Sequence, residues 1–165
     1  MDSDIPNIPE VLFGLKGNYT LLIYVKTWKK IHVGSLGQRY FSEGFYTYTG
    51  SAFGKGASSL GGRIKRHVRK QKTRKWHIDY LLSDRSVYLK AVVAGSMKQR
   101  MECIINKRLK EVFHGKISVD GFGSSDCKQH CGSHLLYLED NCKNTEKIVE
   151  LYLSIARAEI FVLSF

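Results

Sequence analysis

The sequence predicts an α/β or α+β domain with a small mixed sheet, and three observations lead to that prediction. Runs rich in β-branched and aromatic residues, such as YTLLIYVK at residues 19–26, are typical of buried strands. Apolar residues spaced four apart, as at Leu60, Ile64 and Val68, indicate an amphipathic helix. Strands and helices then alternate along the chain, with four strands before the first helix, which favours helices packed on a sheet.

The length of 165 residues corresponds to one domain, residues 1–165, which buries roughly two-thirds of its unfolded surface in a single core. The composition, 43% hydrophobic and 12% aromatic, is that of a globular protein. No apolar run approaches the roughly 20 residues that cross a bilayer, and the start MDSDIPNIPE lacks the pattern of a signal peptide. We therefore expect a cytoplasmic protein with no membrane partner.

Further strands follow from the same patterns. They are predicted at residues 30–33, 38–41, 45–50, 87–93 and 134–138. The turn-like GSLG at residues 34–37 separates the first two of these and predicts a hairpin. Tyr46 and Tyr48 lie two apart and should therefore project from the same face of their strand.

Three helices are predicted. The first begins near Ser58, where a serine can act as N-cap, and places Arg63, His67 and Lys70 along one side. Gly61 and Gly62 lie in its first turns, where glycine is unfavourable but allows a close approach of another backbone. The second helix, residues 97–113, has Glu102 at the margin of an inward-facing apolar stripe. The stripe consists of Met97, Met101, Ile105, Leu109 and Val112. The third helix covers residues 144–157, although the apolar content of this segment could also support a strand near its end.

The formal charge of +11 is concentrated in one segment. Between Gly44 and Ile78 there are nine Lys or Arg residues and no Asp or Glu. A cluster of a single sign points to a polyanionic partner, and nucleic acid is favoured over a membrane surface. The residues expected to contact nucleic acid are Lys55, Arg66, Arg69, Lys70, Lys72, Arg74, Lys75 and His77. Trp76 fits a base-stacking position and a core position equally well.

Four cysteines are too few for a disulfide framework, and in a reducing compartment they are free, catalytic or metal-bound. Cys127, Cys131 and His134 have the spacing C-x3-C-x2-H, and Cys103 could complete four zinc ligands if the second helix lies beside them. The pattern lacks two paired clusters, so it favours buried free thiols and leaves Zn²⁺ as the alternative.

Several motifs occur together in a fixed order. Gly17-Asn18-Tyr19 opens a strand, Tyr48-Thr49-Gly50 closes a later one, and Arg63, His67 and Glu102 follow on two helices. In this combination the chain resembles the GIY-YIG nuclease superfamily. The segments GFYTYTGSA, RIKRHVR, KWHIDYLL, MECI and FGSSDC before SHLLY are similar to an archaeal and bacterial branch that is sometimes fused to base-excision repair glycosylases. The resemblance covers about residues 17–137 and leaves 138–165 as a C-terminal extension that packs on the domain.

The resemblance implies a small, mostly antiparallel central sheet flanked by helices, with the predicted hairpin as an insertion. It also implies site residues. Tyr19 and Tyr48 correspond to the two motif tyrosines, one of which activates or orients water, and Arg63 to the arginine that contacts the scissile phosphate. His67 occupies a position that holds a site residue in several members, and His77 lies near a second one. Glu102 corresponds to the carboxylate that holds one divalent cation, Mg²⁺ or Mn²⁺.

The implied residues suit phosphodiester hydrolysis. A cation beside the phosphate stabilises the negative charge of the transition state, and Mg²⁺ keeps several waters, so one protein carboxylate is enough to hold it. Arg63 can present a planar fork of donors to phosphate, which a lysine cannot. A tyrosine is a weak general base, and we expect the positive charge around Tyr48 to favour its phenolate form.

Two functions follow from different classes of protein. The first is a divalent-metal-dependent endonuclease of DNA repair. We favour DNA over RNA as its substrate. The second is a non-catalytic nucleic-acid-binding module that keeps the nuclease fold and serves a repair protein. Both predict binding that weakens with salt, because both neutralise phosphates with lysine and arginine. Only the first predicts that Glu102 is needed for cleavage and not for binding.

Overall fold

The computed structural model describes residues 6–139, 143–155 and 159–165. It has an α+β architecture with a five-stranded sheet in the order β6-β4-β1-β5-β7 and a separate two-stranded sheet, β2-β3. The strands are β1 Gly17–Val25, β2 Lys29–His32, β3 Gln38–Phe41, β4 Gly44–Ala52, β5 Val87–Ser96, β6 Leu135–Tyr137 and β7 Ile160–Ser164. The helices are α1 Leu60–Val68, α2 His77–Leu82, α3 Glu102–Val112 and α4 Asn144–Ile155.

Every pairing in the five-stranded sheet is antiparallel. Strand β1 lies at its centre between β4 and β5, and eight of its nine residues are buried. This burial explains why β1 is apolar from Leu21 to Val25 apart from the Tyr24 hydroxyl, and why its two polar residues, Asn18 and Thr20, are hydrogen-bonded within the protein. The predicted strands and the mostly antiparallel sheet implied by the resemblance are confirmed. The mixed sheet predicted from the order of elements is wrong, because the described strands have no parallel pairing.

Helices cover both faces of the sheet. Alternate residues of β1 belong to two different cores: Leu21 and Ile23 pack with Leu60 of α1, and Leu22 packs with Ile105 of α3. Helix α2 joins the first core, and α4 joins the second. The segment after residue 138 supplies α4 and the edge strand β7, which pairs with β5.

The predicted hairpin is confirmed. Strands β2 and β3 pair antiparallel, with Lys29 opposite Phe41 and His32 opposite Gln38. The turn between them contains Gly34 and Gly37 at positive φ. The hairpin forms its own two-stranded sheet and lies outside the pairing of the central five strands.

Helix α3 begins five residues later than the sequence predicts. Strand β5 continues to Ser96, and the Met97 backbone N–H donates to Lys16 O at 3.1 Å, which keeps this part of the chain at the edge of β1. The Asn18 side chain then accepts a hydrogen bond from Met101 N at 2.9 Å and donates to Gln99 O at 3.1 Å. These contacts hold residues 97–101 outside the helix, so Glu102 lies in its first turn.

The inward face of α3 is also corrected at its end. Ile105 and Leu109 are buried as predicted, whereas Val112 is 41% exposed and Phe113 takes the buried position. The predicted end of the last helix at Arg157 lies outside the described residues. None of the helices in the described parts of the chain is long and apolar enough to cross a membrane.

Helix α1 begins after Ser59, whose hydroxyl accepts a hydrogen bond from Gly62 N at 3.2 Å and serves as the N-cap. The two glycines of its first turn allow close approach of backbone, as predicted. A Cβ at Gly62 would lie 2.3 Å from Gly56 O, and one at Gly61 would lie 2.8 Å from Phe13 N. The loop before α1 and the segment around Phe13 therefore pack directly against the helix backbone.

Candidate active site and metal centre

A cleft of about 800 Å³ collects most of the residues that the sequence singles out. Tyr19 reaches it from the start of β1, Tyr48 from β4, Arg63 from α1 and Glu102 from the first turn of α3. The other predicted residues that line it are Lys75, His77, Cys103, Cys127 and His134. Residues that are distant in sequence therefore share one water-accessible cleft.

Tyr19 and His67 form a buried hydrogen-bonded pair. Tyr19 Oη lies 2.8 Å from His67 Nε2, and each residue is 2% exposed. Burial, followed by the positive charge of Lys72, lowers the pKa of His67 to about 3. Burial also raises the pKa of Tyr19 well above its ordinary value. Both side chains are therefore neutral at pH 7, and the tyrosine O–H can donate to the imidazole.

The glycine of the Tyr48-Thr49-Gly50 motif makes room for Tyr19. Strand pairing sets Gly50 opposite Tyr19, and a Cβ at Gly50 would lie 2.5 Å from Tyr19 Oη. Gly123 does the same for Tyr48, since a Cβ there would lie 2.7 Å from the Tyr48 ring at a φ of +68°. The spacing of the tyrosine motif thus follows from packing between neighbouring strands.

Taken together, the protein's own groups do not stabilise the phenolate form of Tyr48. Burial raises its pKa to about 12, and this effect outweighs the lowering by Arg63. Asp79 and Glu102 also raise it, because their negative charges oppose a second one nearby. The expected stabilisation of a phenolate by positive charge is present but is smaller than the effect of burial.

Trp76 is half-buried between two guanidinium groups. Arg63 Cζ lies 4.2 Å and Arg66 Cζ 4.5 Å from the centroid of the indole, which is the range of cation–π contacts. Arg66 also donates through Nη2 to Asp79 Oδ2 at 2.7 Å, whereas Arg63 lines the cleft. The buried Nε atoms of both arginines have no hydrogen-bond partner among the described residues. The tryptophan therefore lines the cleft and orients Arg63.

Glu102 has one oxygen bound and one without a partner. Its Oε1 accepts a hydrogen bond from Ser51 Oγ at 3.0 Å, and Ser51 Oγ accepts one from Arg100 Nη1 at 2.6 Å. Its Oε2 is buried and has no hydrogen-bond partner within the described ranges. A buried carboxylate oxygen without a donor is costly, and a hydrated divalent cation in the cleft would satisfy it.

The three cysteines of the described chain converge with one histidine. The ligand atoms of Cys103, Cys127, Cys131 and His134 all lie within 4.8 Å of one another. Cys103 Sγ is 3.3 Å from Cys127 Sγ and 3.6 Å from His134 Nε2, too far for a disulfide, and the thiols are free. Tetrahedral zinc with Zn–S bonds of about 2.3 Å separates its sulfur ligands by roughly 3.8 Å. The group could therefore hold a metal ion such as zinc.

The position of Cys103 beside Cys127 and Cys131 confirms that the second predicted helix, α3, brings this cysteine to the two cysteines of the loop. The cysteines are only half-buried, and His134 is buried. This geometry favours metal ligation over the isolated buried thiols that the spacing alone favoured.

The basic residues divide into two groups. Lys70 Nζ donates to the carbonyls of Leu82, Asp84 and Val87, and Lys72 Nζ donates to those of Arg66 and His67. These bonds tie the segment after α1 to the end of α2, to β5 and back to α1, and a role in nucleic-acid binding stays a prediction for both lysines. The second group consists of the exposed residues Lys55, Arg69, Arg74 and Lys75, and Lys70 is exposed as well.

His77 is fixed at the mouth of the cleft. Its Nδ1 accepts a hydrogen bond from Gly123 N at 3.0 Å, and its Nε2 lies 3.4 Å from Ser35 Oγ. These two contacts join α2 to the loop after α3 and to the hairpin turn. His77 therefore positions two segments that border the cleft.

Sequence reasoning did not single out Ser51 and Arg100 as partners of Glu102. Ser51 directly follows the Tyr48-Thr49-Gly50 motif, and Arg100 lies two residues before Glu102. Their proximity to motif residues is the signal that could have identified them. Their contact across the sheet depends on the β1–β4 register and the late start of α3, which local patterns do not determine.

Comparison with protein-family models matches residues 18–157 to the family described as Domain of unknown function DUF123. The chain belongs to the DUF123 family. The match extends through most of the DUF123 domain described above, from the first strand to the end of α4. No curated protein and no solved structure matches the chain.

The buried His67 predicts a pH-dependent part of the stability of this DUF123 domain. A histidine in the unfolded chain has a pKa near 6.5, whereas His67 in the folded chain has a pKa of about 3. Between these two pH values, only the unfolded chain carries a proton on this imidazole. The contribution of His67 is complete above about pH 6.5 and is lost as the pH falls. We expect the free energy of unfolding of the wild type, minus that of His67→Gln, to decrease by about 2 kcal/mol between pH 7.5 and 5.

Urea unfolding of both proteins at several pH values measures this difference. Other titrating groups are shared by the two proteins and cancel. A difference that stays constant over the range would contradict a buried, neutral His67.

Proposed function

We propose that this DUF123 domain is a divalent-metal-dependent endonuclease that hydrolyses phosphodiester bonds of DNA, with a fold and site of the GIY-YIG type. One observation carries the proposal: Tyr19, Tyr48, Arg63 and Glu102, which the motif order groups together, line a single cleft. The buried, unpartnered Oε2 of Glu102 supports a cation there. The net charge of +11 supports a polyanionic substrate, and a role in DNA repair is the setting that the family resemblance suggests.

The residues of the cleft have distinct roles in this proposal. Glu102 holds Mg²⁺ or Mn²⁺, which when bound supplies Lewis-acid stabilisation of charge on the phosphate. Arg63, held against Trp76, donates to the non-bridging phosphate oxygens. The exposed Lys75 lines the same cleft and contacts the phosphate next to the scissile one in the DNA strand.

The Tyr19–His67 pair can hold the attacking water. Tyr19 lines the cleft, and its Oη accepts a hydrogen bond from that water while it donates its own hydrogen bond to His67 Nε2. His67 is neutral at physiological pH, so Nε2 can accept this hydrogen bond, whereas its pKa of about 3 makes it a weak base. The high pKa of Tyr19 likewise prevents a standing phenolate, so the tyrosine orients the water and His67 positions the tyrosine.

We expect purified protein to cut DNA in the presence of Mg²⁺ or Mn²⁺, and Glu102→Gln to lower the single-turnover rate at least about 100-fold. The substitution removes the charge that holds the cation and should leave DNA binding in EDTA at least as tight. Labelled single-stranded, duplex, flapped and branched DNA are the substrates. The matched control is Glu111→Gln, which makes the same charge change at an exposed position of α3.

Arg63→Lys gives a second test, because it keeps the charge and removes the planar fork. Its cleavage rate should fall while its salt-dependent binding stays close to that of the wild type. If neither wild type nor variants cut any of these substrates and all of them bind DNA, the endonuclease proposal is wrong. The domain is then a binding module that serves a repair partner.

We further propose that Cys103, Cys127, Cys131 and His134 bind one structural Zn²⁺. The donor set of three thiols and one imidazole is typical of closed structural zinc sites. Zinc at this position would tie the loop that carries Cys127 and His134 to the first turn of α3, beside Glu102. The ion would thus fix one wall of the cleft.

We expect the protein to contain about one zinc per chain and Cys127→Ser to contain close to none, with a lower melting temperature. His130→Asn is the matched control, since His130 lies in the same loop outside the four-residue group. Asparagine also tolerates the positive φ of that position. Elemental analysis and thermal unfolding give the answer. Zinc retained by Cys127→Ser, or a zinc-free wild type of unchanged stability, would contradict the site.

A further inference from the structure

The hairpin carries two stacked aromatic side chains on its solvent face. Trp28 is 57% and Tyr40 is 55% exposed, and their ring centroids lie 5.5 Å apart at an interplanar angle of 28°. The core of the domain is supplied by other residues, and Phe41, the neighbour of Tyr40, is fully buried there. A pair of large rings facing solvent is therefore not explained by folding of the domain.

The segment that carries this pair is positively charged. Residues 26–42 contain Lys26, Lys29, Lys30 and Arg39 and no acidic residue, against Glu43 directly after the segment and Asp84 near Lys29. Lys30 Nζ lies 5.6 Å from the centroid of the Tyr40 ring. An apolar protein partner would be recognised poorly by so many cations, whereas the backbone of a nucleic acid complements them.

The hairpin also connects this pair to the cleft. Its turn contacts α2 through Ser35 and His77, and His77 lines the cleft. The aromatic pair lies at the opposite end, near the base of β2 and β3. The four residues of β2, at about 3.3 Å each, separate the two ends by roughly 13 Å. A nucleic-acid strand leaving the cleft along the hairpin reaches the rings within that distance.

We propose that Trp28 and Tyr40 form a stacking platform for unpaired bases of single-stranded DNA, with the hairpin lysines on its phosphates. Aromatic rings interleaved with cations are the pattern by which proteins bind single strands without reading their sequence. The inference rests on the DNA-binding part of the proposed function. It adds a preferred substrate, DNA with an unpaired arm next to the position of cleavage.

The test compares the wild type with the double variant Trp28→Leu/Tyr40→Leu. The double variant keeps the charge of the hairpin and much of its apolar surface. Fluorescence anisotropy measures binding to a labelled dT strand of about 15 nucleotides and to an abasic strand with the same number of phosphates. Base stacking is worth about 1–3 kcal/mol per base, so we expect the variant to bind dT at least about 10-fold more weakly. Leu153→Ala, an exposed apolar position on α4, is the control.

The abasic strand separates stacking from charge and from folding. Wild type should bind it at least about 10-fold more weakly than dT, and the variant should bind both strands alike. Equal affinity of the wild type for dT and abasic strands overturns the proposal without any variant. An equal loss on both strands in the variant also overturns it, because stacking affects only the strand with bases.

Cleavage assays keep this inference distinct from the proposed activity. If a duplex with an unpaired arm is cut and the double variant matches the wild type in both cutting and dT binding, only the stacking platform is wrong. If the wild type prefers dT to the abasic strand through Trp28 and Tyr40 but cuts nothing, the platform is supported and the nuclease proposal fails.

Discussion

The buried carboxylate of Asp79 organises the basic side of the cleft. It is fully buried, and its Oδ2 accepts hydrogen bonds from Arg66 Nη2 and from the backbone N–H groups of Lys75 and Trp76. It is also the first acidic residue after a run of nine cations without one. Arg66 and the other bonds to Asp79 hold its pKa below the ordinary value, although burial opposes them. Loss of this carboxylate would leave Arg66 with Thr73 O as its remaining acceptor in the described chain, and it would remove the acceptor of the Lys75 and Trp76 N–H groups. Because Asp79 neutralises Arg66 and fixes Trp76, Arg63 remains available at the cleft surface.

Burial determines the protonation of the other site residues. It moves the pKa of His67 downward and that of Tyr19 upward, so both groups stay neutral, and their hydrogen bond joins β1 to α1. In the proposed hydrolysis, positive charge would then come from Arg63 and from a cation at Glu102. Neutral hydrogen-bonding groups and charged groups would thus have separate roles in the site.

Much of the fold could be predicted from the sequence, because strand and helix patterns are local properties of the chain. The hairpin, the central strand and the helix that starts after Ser59 are examples. The start of α3 could not be predicted, because it depends on the Asn18 side chain, which lies more than eighty residues earlier. The candidate site residues were predicted by motif order, whereas their pKa shifts follow from burial in three dimensions. The hydrogen bonds of Lys70 to backbone carbonyls and the clustering of the cysteines likewise depend on tertiary contacts, which the spacing of residues in the sequence does not reveal.

The most direct test of the account is a double-mutant cycle on single-turnover DNA cleavage with Tyr19→Phe and His67→Gln. If Tyr19 orients the attacking water and His67 acts by holding the Tyr19 hydroxyl, Tyr19→Phe slows cleavage by about 10²–10⁴-fold, and adding His67→Gln slows it no further. Wild-type rates in Tyr19→Phe, or losses that multiply in the double variant, would contradict a Tyr19 hydroxyl that His67 positions in this cleft.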